Sequence, residues 1–303
     1  MSAAGAKGQV GVIGLGIMGG AISKNLAAAG WQVIGFDTDA ARCAEAKAAG
    51  VTIANGAAAV AGEATNILIS LPKPTALIAT VEAIAATQLP PRVIAELSTF
   101  SLDDKAAALA ALNKAGHTLL DCPLSGTGSQ ARTRDLVVYA SGDPKAVRKL
   151  KPLFMDISRG VHDLGAFGNG SRMKYVANLL VAINNVATAE AMVLGMKAGL
   201  DPKSIFETIK TGAGNSRVFE LRAPKMVADR YDEATMKISV WQKDMEVIGK
   251  FAKAIGVPTP LFSATVPIYD KAIKTGHAGD DTAVVCAVLG EMAGVTRGGK
   301  KRH

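Results

Sequence analysis

The stretch QVGVIGLGIMGGAISKNLAAAGWQVIGFDTD, residues 9–39, constrains the fold more than any other part of the chain. An apolar run from Val10 to Ile13 turns through Gly14, Gly16 and Gly19 and continues as a helical pattern to Ala29. A second apolar run, Val33 to Phe36, then ends in Asp37. Strand, glycine turn, helix, strand and acid in this order form the pattern of a dinucleotide site. Gly14 permits a tight turn, Gly16 lets the backbone approach a pyrophosphate, and Gly19 lets helix and strand pack closely. Phosphate charge would rest on the free N–H groups at the helix start. A glycine-rich packing turn is the bland alternative, but the flanking strand, helix and acid favour a ligand.

The loop Gly14, Leu15, Gly16, Ile17, Met18 and Gly19 is therefore expected to hold the cofactor. Asp37 should accept from both ribose hydroxyls and repel a 2′-phosphate. NAD is thus preferred to NADP, which Arg42, about one helical turn further on, leaves open.

Strand-like segments recur at 66–71, 92–97, 117–122 and 136–141, separated by alanine-rich helical stretches such as 102–115. Such alternation predicts an α/β fold: a Rossmann-like, doubly wound and mostly parallel sheet covered on both faces. Ligands bind beyond the carboxyl ends of strands in such sheets. Three strand ends matter on this reading: SLP at 70–72, LST at 97–99 and DCPLSGTG at 121–128. Leu71, Pro72, Ser98 and Thr99 could line the cofactor or be ordinary turn residues. Ser125, with the N–H groups of Gly126 and Thr127, offers donors suited to a carboxylate or an oxyanion.

From Ser171 onward the strand signals stop. A helical run from about Ser171 to Ala198 ends at Gly199, with Asp201 as N-cap and Pro202 opening the next helix. Further helical patterns lie around 203–211, 236–255, 261–275 and 281–293. The expected division is a dinucleotide-binding domain at 1–169 and an all-α substrate and oligomerisation domain at 170–303, joined by the long helix. Apolar stripes on these helices predict a homodimer or homotetramer.

Composition narrows the class. With 303 residues, 49% hydrophobic and 20% charged, the chain can bury one or two substantial cores. The start MSAAGAKGQV lacks the pattern of a secretory signal, and Asn178, Asn184, Asn185 and Glu190 make the long helix too polar for a membrane span. A cytoplasmic protein without a membrane partner is expected. Cys43, Cys122 and Cys286 show no metal or redox spacing, and the histidines show none either, so no metal is implied. The net charge of +8 invites a nucleic-acid reading. Part of it comes from the tail RGGKKRH (297–303), which reads more simply as a solvated terminus, and the rest favours acidic small molecules as much as nucleic acid.

Within GNGSRMKYVANLL (168–180), Lys174 and Asn178 stand four residues apart and share one helix face. For a lone lysine the ordinary reading is a surface group, but the glycines before it would let another group approach the helix N-terminus.

Five motifs now stand in order: GLGIMG (14–19), DCPLSGTG (121–128), GAFGNGSRMKYVANLL (165–180), GLDP (199–202) and WQKDM (241–245). In these the chain resembles the β-hydroxyacid dehydrogenase family over nearly its whole length. That family includes 3-hydroxyisobutyrate dehydrogenase, tartronate semialdehyde reductase and L-threonate dehydrogenase, and is related to 6-phosphogluconate dehydrogenase. The resemblance implies an NAD(P)-dependent oxidoreductase interconverting a small 3-hydroxy acid and its semialdehyde. Lys174 would be the catalytic acid/base, and Asn178 would hold substrate and orient the lysine. Ser125, Gly126 and Thr127 would bind the substrate carboxylate. Lys243 would approach the cofactor, with Thr99 on the nicotinamide side. A desolvated lysine beside another cation suits proton transfer near neutrality.

The chain departs from the family in places. The carboxylate loop usually reads Ser-Gly-Gly, whereas Thr127 adds a hydroxyl here. Cys122 replaces an alanine, and Leu102 stands where a proline follows STFS. Two other readings compete: an imine reductase-like enzyme, and a non-catalytic cofactor-dependent binding protein with a basic surface. The presence of Lys174, which imine reductases of this resemblance usually replace, argues against the first, and retention of Lys174, Asn178 and the carboxylate loop together argues against the second.

Overall fold

The computed structural model describes residues 7–295, so the basic tail at 297–303 lies outside the described residues. The chain divides into two compact units, one ending at Lys174 and one beginning at Tyr175.

The first unit runs β1 (Gln9–Ile13), α1 (Ile17–Ala28), β2 (Gln32–Phe36), α2 (Ala40–Ala48), β3 (Thr52–Ile53), α3 (Ala57–Glu63), β4 (Asn66–Ile69), α4 (Pro74–Ala85), β5 (Val93–Glu96), α5 (Leu102–Lys114) and β6 (Thr118–Asp121). These six strands pair in parallel in the order β3-β2-β1-β4-β5-β6. The order reverses between β1 and β4, the switch point at which such sheets open a ligand crevice.

Side-chain alternation explains why both faces are covered. Val10, Val12 and Leu68 join one apolar cluster with Leu26, Leu120 and Phe154. Ile13, Ile67 and Ile69 join a second cluster with Leu77, Val81 and Leu112. Each such side chain, once fully buried, contributes about 1.5–3 kcal/mol relative to exposure.

Beyond β6 come β7 (Leu124–Ser125), α6 (Gly128–Arg132), β8 (Val137–Ala140), α7 (Pro144–Ile157) and β9 (Gly160–Asp163). The segment at 136–141 is a strand, as expected, but it does not extend the parallel sheet. It lies at the centre of a separate sheet, β7-β8-β9, antiparallel to β7 and parallel to β9. The short connection through α6 explains this, because parallel neighbours need a long crossover whereas antiparallel ones do not.

Helix α8 (Asn169–Lys197) begins in the first unit and continues into the second. Asn178, Asn184, Asn185 and Glu190 do not make it as polar as expected: by length and mean hydropathy alone it is long and apolar enough to cross a membrane. The second unit continues with α9 (Pro202–Ile209), α10 (Arg217–Ala228), α11 (Ile238–Ala254), α12 (Pro260–Lys274), a 3-10 turn at Thr282–Val284 and α13 (Val285–Met292). Asp201 caps α9 by accepting from Ser204 N at 2.9 Å, and Pro202 opens that helix. Helix α10 escapes the periodicity reading because its buried face, Phe219, Arg222, Ala223 and Met226, includes a charge, and Pro224 stands inside the helix. Ser216 caps it, its Oγ accepting from Phe219 N at 3.0 Å.

Candidate active site

The turn after β1 is set by steric necessity. Gly14 has φ +89°, and a Cβ there would lie 2.1 Å from Ser70 O; a Cβ on Gly19 would lie 1.8 Å from Gly14 O. Neither position tolerates a side chain. Gly16, the N-cap of α1, offers no side-chain cap, so the helix's leading N–H groups are left to another acceptor. That arrangement fits a dinucleotide phosphate.

Asp37 follows β2. Its Oδ2 accepts from Leu15 N at 2.7 Å and its Oδ1 from Asp39 N at 2.9 Å. Arg42 comes closer than its place in the sequence indicated: Nη1 is 3.6 Å from Asp37 Oδ2, and Nε is 3.4 Å from Asp39 Oδ2. The same guanidinium leans towards Gly16.

Leu71 and Pro72 follow β4, and Ser98 and Thr99 follow β5, at the carboxyl edge of the sheet. The two turns are tied together, since Leu71 N donates to Ser98 Oγ at 2.9 Å. Leu71 also packs beside Gly14. The cofactor-loop residues, Asp37 and both strand-end turns thus belong to one edge of one unit.

Ser125 ends β7, Gly126 has φ +132°, and Thr127 caps α6. Thr127 N donates to Gln130 Oε1 at 3.1 Å, and Thr127 Oγ1 lies 2.9 Å from Ser129 Oγ. One donor of the expected carboxylate cluster is therefore already engaged by a side chain. The loop also touches the cofactor loop: a Cβ on Gly128 would lie 2.4 Å from Ile17 Cγ2, and Asn25 Nδ2 donates to Ala131 O at 2.7 Å.

Helix α8 starts hard against the root of this loop. A Cβ on Gly170 would lie 2.4 Å from Tyr139 O, 2.6 Å from Asp121 O and 3.0 Å from Pro123 Cδ. Its leading N–H groups are capped from the sheets, Gly170 N by Ser141 Oγ at 3.0 Å and Ser171 N by Asp121 Oδ2 at 2.7 Å. Lys174, four residues after Gly170, lies on the same helix face and is buried. Cys122, beside Asp121, is fully buried, and burial pushes its thiol pKa up, with Asp121 adding to the effect. It is an inert core group.

In the second unit Asn178 is buried and donates from Nδ2 to Asp244 Oδ2 at 3.0 Å. Asp244 Oδ1 is 3.4 Å from Lys243 Nζ. Asp244 was not among the residues expected at a site, yet it joins two that were. Its only sequence signal is its place in WQKDM, on the helical spacing that turns it inward from α11 while Lys243 stays partly exposed.

Residues 9–166 match the family model for the NAD binding domain of 6-phosphogluconate dehydrogenase. Residues 168–289 match the model described as NAD-binding of NADP-dependent 3-hydroxyisobutyrate dehydrogenase. L-threonate dehydrogenase of Escherichia coli K12 is 29% identical, over 98% of this chain and 99% of that protein. NAD-dependent L-serine dehydrogenase of Pseudomonas aeruginosa is 29% identical, over 91% of this chain and 96% of that protein. The solved structure of 3-hydroxyisobutyrate dehydrogenase from Salmonella typhimurium superposes with a TM-score of 0.84 at 28% identity, covering 92% of this chain and 99% of that one.

Proposed function

The chain belongs to the β-hydroxyacid dehydrogenase family and is an NAD(P)-dependent hydroxyacid dehydrogenase; from that premise we propose that it interconverts a small 3-hydroxy acid and its semialdehyde, preferring NAD. The observation that carries this reading is the start of α8. Gly170 abuts Asp121 and Pro123, which lead into Ser125, Gly126 and Thr127, and buried Lys174 follows on the same face.

The roles follow from the chemistry. Ser125 Oγ and the N–H of Gly126 bind the carboxylate, and Thr127 N joins them once Gln130 Oε1 gives way. Lys174 Nζ removes the hydroxyl proton during oxidation and returns it to the forming alkoxide during reduction. Asn178, fixed by Asp244, holds the substrate oxygen. The nicotinamide group, when bound, accepts or supplies the hydride. Gly14 to Gly19 and the uncapped start of α1 hold its phosphates, Asp37 its ribose, and Leu71, Pro72, Thr99 and Lys243 line the remainder.

Asp37 supports NAD, because a carboxylate at the end of β2 suits ribose hydroxyls and would repel a 2′-phosphate. Arg42 beside it gives NADP a partner and keeps the discrimination modest. The substrate belongs to the class named by the relatives: threonate, 3-hydroxyisobutyrate or serine. The exposed stripe Met173, Val176, Leu180 and Leu194 along α8 supports a homodimer, or a homotetramer built from it.

An initial-rate screen of L-threonate, 3-hydroxyisobutyrate, serine, glycerate and 4-hydroxybutyrate with both cofactors tests the reading. Turnover of at least one acid, faster with NAD, is expected. No turnover of any acid with either cofactor would overturn it.

A further inference from the structure

Glu96, Lys105 and Asp121 form a charge cluster in the first unit whose three side chains are fully buried. Lys105, on α5, places Nζ 2.7 Å from Glu96 Oε2 and 2.5 Å from Asp121 Oδ1. Glu96 ends β5 and Asp121 ends β6, so one ammonium bridges adjacent strand ends.

Each carboxylate also reaches outward to a different part of the candidate site. Glu96 Oε1 accepts from Ser98 N at 2.8 Å, and Ser98 Oγ accepts from Leu71 N at 2.9 Å, which fixes both cofactor-side turns. Asp121 Oδ2 accepts from Ser171 N at 2.7 Å, and its Oδ1 accepts from Ser171 Oγ at 2.8 Å, which fixes the first turn of α8. Two carboxylates against one ammonium leave a surplus negative charge, and the positive end of the α8 dipole meets it. Such a cluster is weak evidence for stability, since apolar replacements of buried ion pairs are often neutral or stabilising. What this one supplies is direction: Glu96 Oε1 is aimed at the turn after β5, both oxygens of Asp121 at the first turn of α8, and Glu96 Oε2 at the bridging ammonium.

We propose that Lys105 is a positioning residue, which locks the turns bearing Leu71 and Thr99 to the first turn of α8 and so fixes Lys174 relative to the cofactor side. The proposal rests on the dehydrogenase roles assigned above. Losing the ammonium would leave Glu96 and Asp121 in repulsion and let the two sides drift apart, while Leu15 N in the phosphate turn is held separately by Asp37 Oδ2 at 2.7 Å.

The test compares the full-length wild type with Lys105→Met and Ser171→Ala. Amide hydrogen exchange without ligand reads the coupling directly. Lys105→Met should deprotect Leu71, Ser98 and Ser171 together while Leu15 stays protected. Ser171→Ala should deprotect the start of α8 only. In turnover of L-threonate, or of the acid the screen identifies, Lys105→Met should lower kcat about 100-fold, the scale of a small misplacement. NADH affinity should fall by much less than kcat, because Asp37 and the start of α1 stay in place while only the turns at Leu71 and Thr99 loosen, and the deuterium isotope effect for the acid labelled at its hydroxyl-bearing carbon should rise.

Exchange unchanged at either turn, or a variant that loses only thermal stability, would overturn the proposal. If Lys105→Met does not fold, Ser171→Ala decides, because normal kcat and a normal isotope effect there would overturn it equally. Should no acid turn over with the wild type, the activity reading fails by itself, and the exchange result still judges the coupling.

Discussion

Asn178 and Asp244 are joined by a buried hydrogen bond, Nδ2 to Oδ2 at 3.0 Å, between helices α8 and α11. An amide whose N–H is committed to a carboxylate presents its carbonyl oxygen and remaining N–H in one orientation. Replacing Asp244 by alanine frees that amide and also removes a partner of Lys243. Asp244→Ala should therefore lower kcat/KM by about 100-fold, as expected for a displaced positioning group, and Asp244→Asn, which still accepts, by less. Steady-state kinetics alongside NADH fluorescence titration checks this; a loss explained wholly by weaker NADH binding would assign Asp244 to the cofactor.

Lys174 carries the proton in the proposed reaction, and general acid–base help of this kind is worth roughly 100- to 10,000-fold. Lys174→Ala should remove that factor from kcat. NADH binding should stay near the wild-type value, because the phosphate turn and Asp37 lie on other elements. Equal losses in both measurements would make Lys174 a structural or cofactor residue.

The glycine turn was legible because Gly14 and Gly19 answer a local steric demand that leaves a mark on the chain itself. The end of α8 was legible for a similar reason, with Gly199 in the left-handed region and the Asp201–Pro202 start of α9. What stayed hidden depends on distant partners. Lys105 sits in an alanine-rich helix and reads as a solvated charge until β5 and β6 bring Glu96 and Asp121 to it. Asp244 and Asn178 are 66 residues apart, and no periodicity connects them. The strand at 137–140 has the pattern of a buried strand, but that pattern does not say which sheet it joins, and the short connection through α6 decides. Arg42 was noticed as a neighbour of Asp37, yet only the first turn of α2 brings its guanidinium to the carboxylate.

That proximity makes cofactor choice a contest between two side chains. Asp37→Ala should narrow the gap between NAD and NADP use, because the repulsion of a 2′-phosphate goes while Arg42 remains. Arg42→Ala should widen it by weakening NADP alone. Ratios of kcat/KM for the two cofactors provide the measurement, and an unchanged ratio in both variants would remove Asp37 and Arg42 from the ribose site.

Arg222 and Asp281 give the second unit a pH dependence of its own. Arg222 Nη1 is 2.7 Å from Asp281 Oδ1, while Thr235 N and Oγ1 donate to Oδ2 at 2.7 and 2.8 Å and Ala283 N donates to Oδ1 at 3.0 Å. Burial alone would raise the Asp281 pKa, but the Arg222 charge and these donors outweigh it and hold the carboxyl below its ordinary 3.8. A depressed folded-state pKa means that the unfolded chain binds the proton first. The stabilisation is therefore complete above pH 3.8 and is lost as the pH falls through the lower folded value. Asp281→Asn should flatten the stability curve in that acid range. At neutral pH it should cost about 3–5 kcal/mol, because Arg222 is then buried without its counter-ion. Denaturant melts of both proteins from pH 7 down to the acid limit measure the two effects, and parallel curves would show that Asp281 titrates with its ordinary pKa.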